Sequence, residues 1–176
     1  MKFKIHKQSA TGKQCQAILD AMKEAKEQTR TFLAELSQEL GVNIQQHYGN
    51  GNTAGGVVAI VVPKDHSLRK DKAWRSFNSD AITPRLNTQA GKQMSRRFKA
   101  LPSVHQSQLG MAVGFNDRWK TVGFNWEGEE YFLLNLMEGW EYAPPADVIP
   151  IKESEYWLMR EAAGAAEASR EGTTNA

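Results

Sequence analysis

Cysteine is nearly absent. Cys15 is the only one in 176 residues, so the chain has no disulfide of its own, and a reducing compartment is expected. Long apolar runs are missing as well. None reaches the roughly 18 to 20 residues that span a bilayer, and the opening MKFKIHKQSATGKQ lacks the apolar stretch of a secretory signal. A cytoplasmic protein with no membrane segment is therefore expected. His6, His47, His66 and His105 lie far apart, with no HxH or HExxH spacing and no Cys/His pair to suggest a metal. No Gly-x-Ser-x-Gly context for a nucleophile is present. Cys15 falls in the apolar seam of an expected helix, where a thiol is a packing group rather than a nucleophile. Glu129 and Glu130 are neighbours on an expected strand and point to opposite sides of it, which does not suit joint acid–base work. No catalytic residue, cofactor or metal ligand is assigned, and enzymatic activity lacks support.

What the sequence does have is segregated charge. Between Lys64 and Leu101 stand ten Lys and Arg against Asp65, Asp71 and Asp80, a local net of +7, although the whole chain is only +2. Residues 117–176 are acidic, with five Lys and Arg against twelve Asp and Glu. Such asymmetry gives a dipolar surface if the segments fold to different faces, and is neutralised if the two ends fold together.

The length suits one domain with its own core; residues 1–169 are expected to form it, with 170–176 as a frayed tail. Phe3 and Ile5 alternate with polar residues over Lys2–His6, a short strand. Ser9 or Thr11 can cap a long helix that Gly41 ends. Cys15, Ile18, Met22, Ala25, Thr29, Phe32 and Leu36 recur along it at near-heptad spacing; Leu19, Leu33 and Leu40 widen the stripe, which favours packing on the chain's own sheet. The same seam also allows a coiled-coil homodimer.

The Gly-rich stretch from His47 to Gly56 precedes the apolar run Val57–Val62, an expected strand. A phosphate loop has the opposite order, glycines after a strand and opening a helix, so a nucleotide site around 47–56 is the weakest reading. Beyond Pro63, Leu68, Trp74 and Phe77 are expected as inward anchors. A helix is expected from Thr83 or Asn87 to Ala100. Leu86, Ala90, Met94, Phe98 and Leu101 share its apolar face, with Lys92, Arg96 and Lys99 opposite and Arg85 joining if the helix starts early. From Leu109, three strands (GMAVGF, WKTVGFNW and EEYFLLNLM) with turns at Asn116-Asp117 and Glu127-Gly128 suggest an antiparallel meander. A final helix begins near Ser154 with Trp157 and Leu158 inward. No internal repeat stands out. The fold class expected is α+β: a mostly antiparallel sheet, a long N-terminal helix and an amphipathic basic helix.

The segment ITPRLNTQAGKQMSRRFKALP, preceded by Trp74, resembles small accessory proteins of tailed phages and prophages over about a fifth of the chain. The resemblance carries no catalytic residue. It implies a protein that acts in the host cytoplasm by binding and blocking a host component.

The leading expectation is a non-enzymatic protein that captures a host macromolecule through Arg75, Arg85, Lys92, Arg96, Arg97 and Lys99. A nucleic-acid binder using the same residues on phosphates is the alternative.

Overall fold

A computed structural model describes residues 1–44, 47–48, 59–102, 107–117, 124–136 and 143–174. In chain order it contains β1 (Lys2–His6), α1 (Ala10–Leu40), β2 (His47–Tyr48), β3 (Ala59–Val61), a short 3-10 helix (Ser67–Lys70), β4 (Trp74–Ser76) and β5 (Ala81–Pro84). Then follow α2 (Gln89–Lys99), α3 (Gln108–Asp117), β6 (Phe124–Trp126), β7 (Glu129–Asn135), β8 (Val148–Pro150) and α4 (Glu153–Thr174). The fold is α+β, with two four-stranded sheets whose pairings are all antiparallel. The chain divides into two compact units: a terminal unit, Met1–Met22 with His105–Ala176, and a central unit, Lys23–Val104.

In the terminal unit the strand order is β6-β7-β1-β8. Phe3 pairs with Leu134, and Ile5 with Phe132 and Val148. All five are buried, as period-2 alternation requires of one sheet face. On the other face Leu133 packs with Tyr156 and Met159 of α4. Lys4 lies at its margin and pairs with Glu155 at 2.8 Å. Entry into α1 is fixed twice. Ser9 Oγ accepts from Gly12 N at 3.1 Å, an N-cap bond. Asp147 takes both Thr11 N and Thr11 Oγ1 at 2.7 Å, and these bonds hold its carboxyl below its ordinary value.

In the central unit the order is β2-β3-β5-β4. Ile60, Ile82 and Trp74 form one buried cluster with Leu33 and Leu36 of α1 and Phe98 of α2. Phe98 is fully buried and meets the Phe32 ring edge-on at 5.1 Å. Gly41 ends α1 at φ 65°, as expected of a helix C′ position.

Several expectations need correction. Residues 109–114 are helical, not extended, because Ser107 caps α3: its Oγ accepts from Gly110 N at 2.9 Å. A short apolar run cannot distinguish a buried strand from a helix, and the cap decides it. Asn116 and Asp117 then belong to α3 rather than to a hairpin turn. The Glu127-Gly128 turn does join β6 to β7, with φ 52° and 86°. α2 starts at Gln89 behind the Thr88 cap, because Thr83 and Pro84 belong to β5. Leu86 therefore lies in a turn and is 59% exposed, and Ala90 is exposed as well. The inner line of α2 is Gly91, Ser95 and Phe98. Phe77, just past β4, is 46% exposed rather than inward. On α4 the frame is one residue off at each position: Tyr156 and Met159 are buried, while Trp157 and Leu158 are exposed. The helix runs on to Thr174, past the expected tail boundary at 170. The Gly-rich loop apart from His47 and Tyr48, and residues 57–58 of the expected strand, lie outside the described residues, as do 118–123.

Candidate interaction face on α2

Ten basic residues occupy Lys64–Leu101, and the structure divides them. Arg69 is a structural clamp. Its Nε donates to Pro63 O at 3.0 Å, and its Nη2 donates to Val62 O at 3.1 Å and Ser79 O at 3.0 Å, which ties the exit of β3 to the β4–β5 turn. Arg85 stands in the turn before α2, where its Nε donates to Trp74 O at 2.7 Å. It is not on the helix, so it does not extend the stripe. Arg97 reaches across to α1: its Nη1 meets Glu39 Oε2 at 2.8 Å, and its guanidinium lies 5.3 Å from the Phe32 ring centre. These three guanidiniums serve the fold of the central unit.

Arg75 is exposed on β4, but its neighbour Trp74 turns into the core beside Phe98. Alternation along the strand therefore sends Arg75 to the sheet face opposite α2. Of the six expected contact residues, only Lys92, Arg96 and Lys99 come together. They are exposed along α2, span about 10 Å of its axis, and make no ion pair with any described residue. Each directly follows a residue of the buried line Gly91, Ser95, Phe98. The stripe thus lies about 100° round the helix from the core, flanking the apolar line rather than opposing it.

The charge segregation read from the sequence maps onto the units. The central unit holds thirteen Lys and Arg against seven Asp and Glu, net +6; the terminal unit holds nine against thirteen, net −4. Exposed Lys64, Lys70 and Lys72 add to the positive field of the central unit.

The remaining chemistry is structural. Cys15 is fully buried; burial, and secondarily the Asp147 carboxylate, push its thiol up to about 12. Glu129 binds His6 Nε2 at 2.7 Å and Glu130 binds Lys7 Nζ at 3.1 Å, so the two carboxylates serve different partners. His66 caps the 3-10 helix by accepting from Leu68 N. Ser67 and Lys70 stand at Ser-x-x-Lys spacing on that helix, although no nucleophile context of this kind is expected from the sequence; both are exposed. Among the described residues no cluster of His, Cys, Asp and Glu could hold a metal, and no helix is long and apolar enough to cross a membrane.

Compared with protein-family models, curated proteins and solved structures, the chain shows no match.

Proposed function

We propose that this is a non-enzymatic binding protein that docks the α2 stripe, Lys92, Arg96 and Lys99, on a carboxylate-rich surface of a partner protein. One observation carries the reading. Arg69, Arg85 and Arg97 are tied to the protein's own acceptors, while these three cations are exposed on one face with no ion pair among the described residues. Aligned, solvated cations steer an anionic partner and fix its register. The segment's resemblance to phage accessory proteins supports a host component as that partner.

A protein surface fits better than nucleic acid. α2 has one aromatic residue, Phe98, and it is buried, so the stripe has no stacking platform of its own. The net +6 of the central unit and exposed Lys64, Lys70, Lys72 and Arg75 favour nucleic acid as the second reading. Fluorescence anisotropy separates them, using a labelled ten-residue glutamate peptide and a labelled single-stranded oligonucleotide over a salt series. The account expects the peptide to bind at low salt and Lys92→Glu/Arg96→Glu/Lys99→Glu to abolish binding. Tighter oligonucleotide binding with a steep salt slope would move the assignment to nucleic acid, and binding of neither probe would refute the docking face.

A further inference from the structure

Helices α1 and α2 open in the same way. Ser9-Ala10-Thr11-Gly12-Lys13-Gln14 matches Thr88-Gln89-Ala90-Gly91-Lys92-Gln93, and each follows a strand, β1 or β5. Ser9 N donates to His6 O at 3.0 Å, and Thr88 N to Arg85 O at 3.2 Å. The cap hydroxyl accepts from Gly12 N at 3.1 Å in one and from Gly91 N at 3.0 Å in the other. Lys13 N and Lys92 N each donate to the cap carbonyl at 3.0 Å. A Cβ on Gly12 would meet His6 O at 2.1 Å, and one on Gly91 would meet Arg85 O at 2.0 Å. Both glycines thus exist for the same contact, helix against the carbonyl six residues back. The capping hydroxyl alone does not define the repeat, since α3 shares it at Ser107 without the Lys-Gln that follows.

The sheets agree as well. In the central unit the end of α1 is followed by β2, β3, β4, β5 and α2. In the terminal unit, read from α3 to the end of the chain and then from its start, the order is α3, β6, β7, β8, α4, β1 and α1. Matching β6, β7, β8 and β1 with β2, β3, β4 and β5 turns the order β6-β7-β1-β8 into β2-β3-β5-β4, which is the observed order. Among the described residues α4 and the 3-10 helix between β3 and β4 have no counterpart.

Resting on the docking face proposed above, we infer that the chain holds one unit twice, in circularly permuted order, and that Lys13, Ala17 and Asp20 on α1 are the net-neutral counterpart of Lys92, Arg96 and Lys99. All six are exposed. The α1 set is neutral overall and the α2 set is +3. The scaffold therefore tolerates either charge state at these positions, and the cations on α2 belong to recognition of an acidic protein surface rather than to folding. Of the two equivalent helix faces, only the one on α2 is cationic.

The test uses the full chain. Gly12→Ala and Gly91→Ala should each lower Tm by more than about 5 °C, since a backbone carbonyl cannot move aside cheaply, although alanine elsewhere in a helix stabilises it. A Tm unchanged in either variant overturns the repeat. Arg96→Ala/Lys99→Asp and Ala17→Arg/Asp20→Lys should each shift Tm by less than about 3 °C. With the labelled glutamate peptide, the first should weaken binding about tenfold. The second should raise the stoichiometry from one peptide to two, and the combined variant should return it to one. If the wild type binds and Ala17→Arg/Asp20→Lys adds no site, the equivalence of the two faces is wrong. If the wild type does not bind, the docking face is wrong, and the glycine pair alone decides the repeat.

Discussion

Replacing Arg69 by lysine should harm the protein almost as much as replacing it by alanine. The guanidinium spans three carbonyls, at Pro63, Val62 and Ser79, at 3.0 to 3.1 Å, and so ties the exit of β3 to the β4–β5 turn at one end of the β3–β5 pairing. A charged donor to a neutral acceptor contributes about 1.5–3 kcal/mol when fully desolvated. Two of these three bonds are exposed, so water replaces much of what is lost, and the three together should contribute about 2 kcal/mol. An ammonium on a flexible stem keeps the charge but cannot span the three acceptors as the planar fork does. Arg69→Ala should therefore cost about 2 kcal/mol and Arg69→Lys about 1.5 kcal/mol, read as a lower urea midpoint at an unchanged slope. If both variants lie within about 0.5 kcal/mol of the wild type, as ordinary surface changes do, Arg69 is not a clamp and returns to the set of free cations.

Two further outcomes concern ionisation. Because Cys15 is raised to about 12 in the folded chain against about 8.5–9 when unfolded, folding favours its neutral form. Its contribution is whole below pH 9 and is lost as pH rises towards 12. Stability should fall by about 1.4 kcal/mol between pH 8 and pH 10 from this group, a slope absent in Cys15→Ala, and the native thiol should not react with a disulfide reagent at pH 7. Rapid native labelling would contradict its burial. Asp147 is shifted the other way, held down first by the Thr11 backbone N–H. Its contribution is present above its unfolded value near 3.9 and is lost as pH falls through the lower folded value. The stability gap between wild type and Asp147→Asn should thus close on acidification below about pH 4, and a gap independent of pH would show that the cap is not charge-assisted.

Strong local signals in the sequence carried over to the structure. The alternation at Phe3 and Ile5, the long apolar stripe closed by Gly41 and the Glu127-Gly128 turn each have a short-range cause, so β1, α1 and the β6–β7 hairpin could be read directly. GMAVGF could not, because its six apolar or small residues suit strand and helix alike and the deciding residue, Ser107, lies before them. Trp157 and Leu158 are bulky yet exposed, because the seat of Tyr156 and Met159 against Leu133 is a tertiary fact that bulk alone does not reveal. The candidate site was half legible. Lys92, Arg96 and Lys99 align by helical spacing alone. That Arg69, Arg85 and Arg97 are occupied depends on carbonyls and a carboxylate up to 58 positions away, and no spacing rule reveals it. The SATGKQ/TQAGKQ pair was visible in the sequence, but it carries weight only once both glycines are seen against a strand-end carbonyl.

The central claim is that the anionic partner is held by the α2 stripe and not by net charge. Quantitative pull-down from cell lysate tests it with three full-length proteins: wild type, Lys92→Glu/Arg96→Glu/Lys99→Glu, and Lys64→Glu/Lys70→Glu/Lys72→Glu, whose charge change is identical. The account predicts that the prey is lost with the first variant and kept with the second. Equal loss in both, or identical prey in all three, would contradict it.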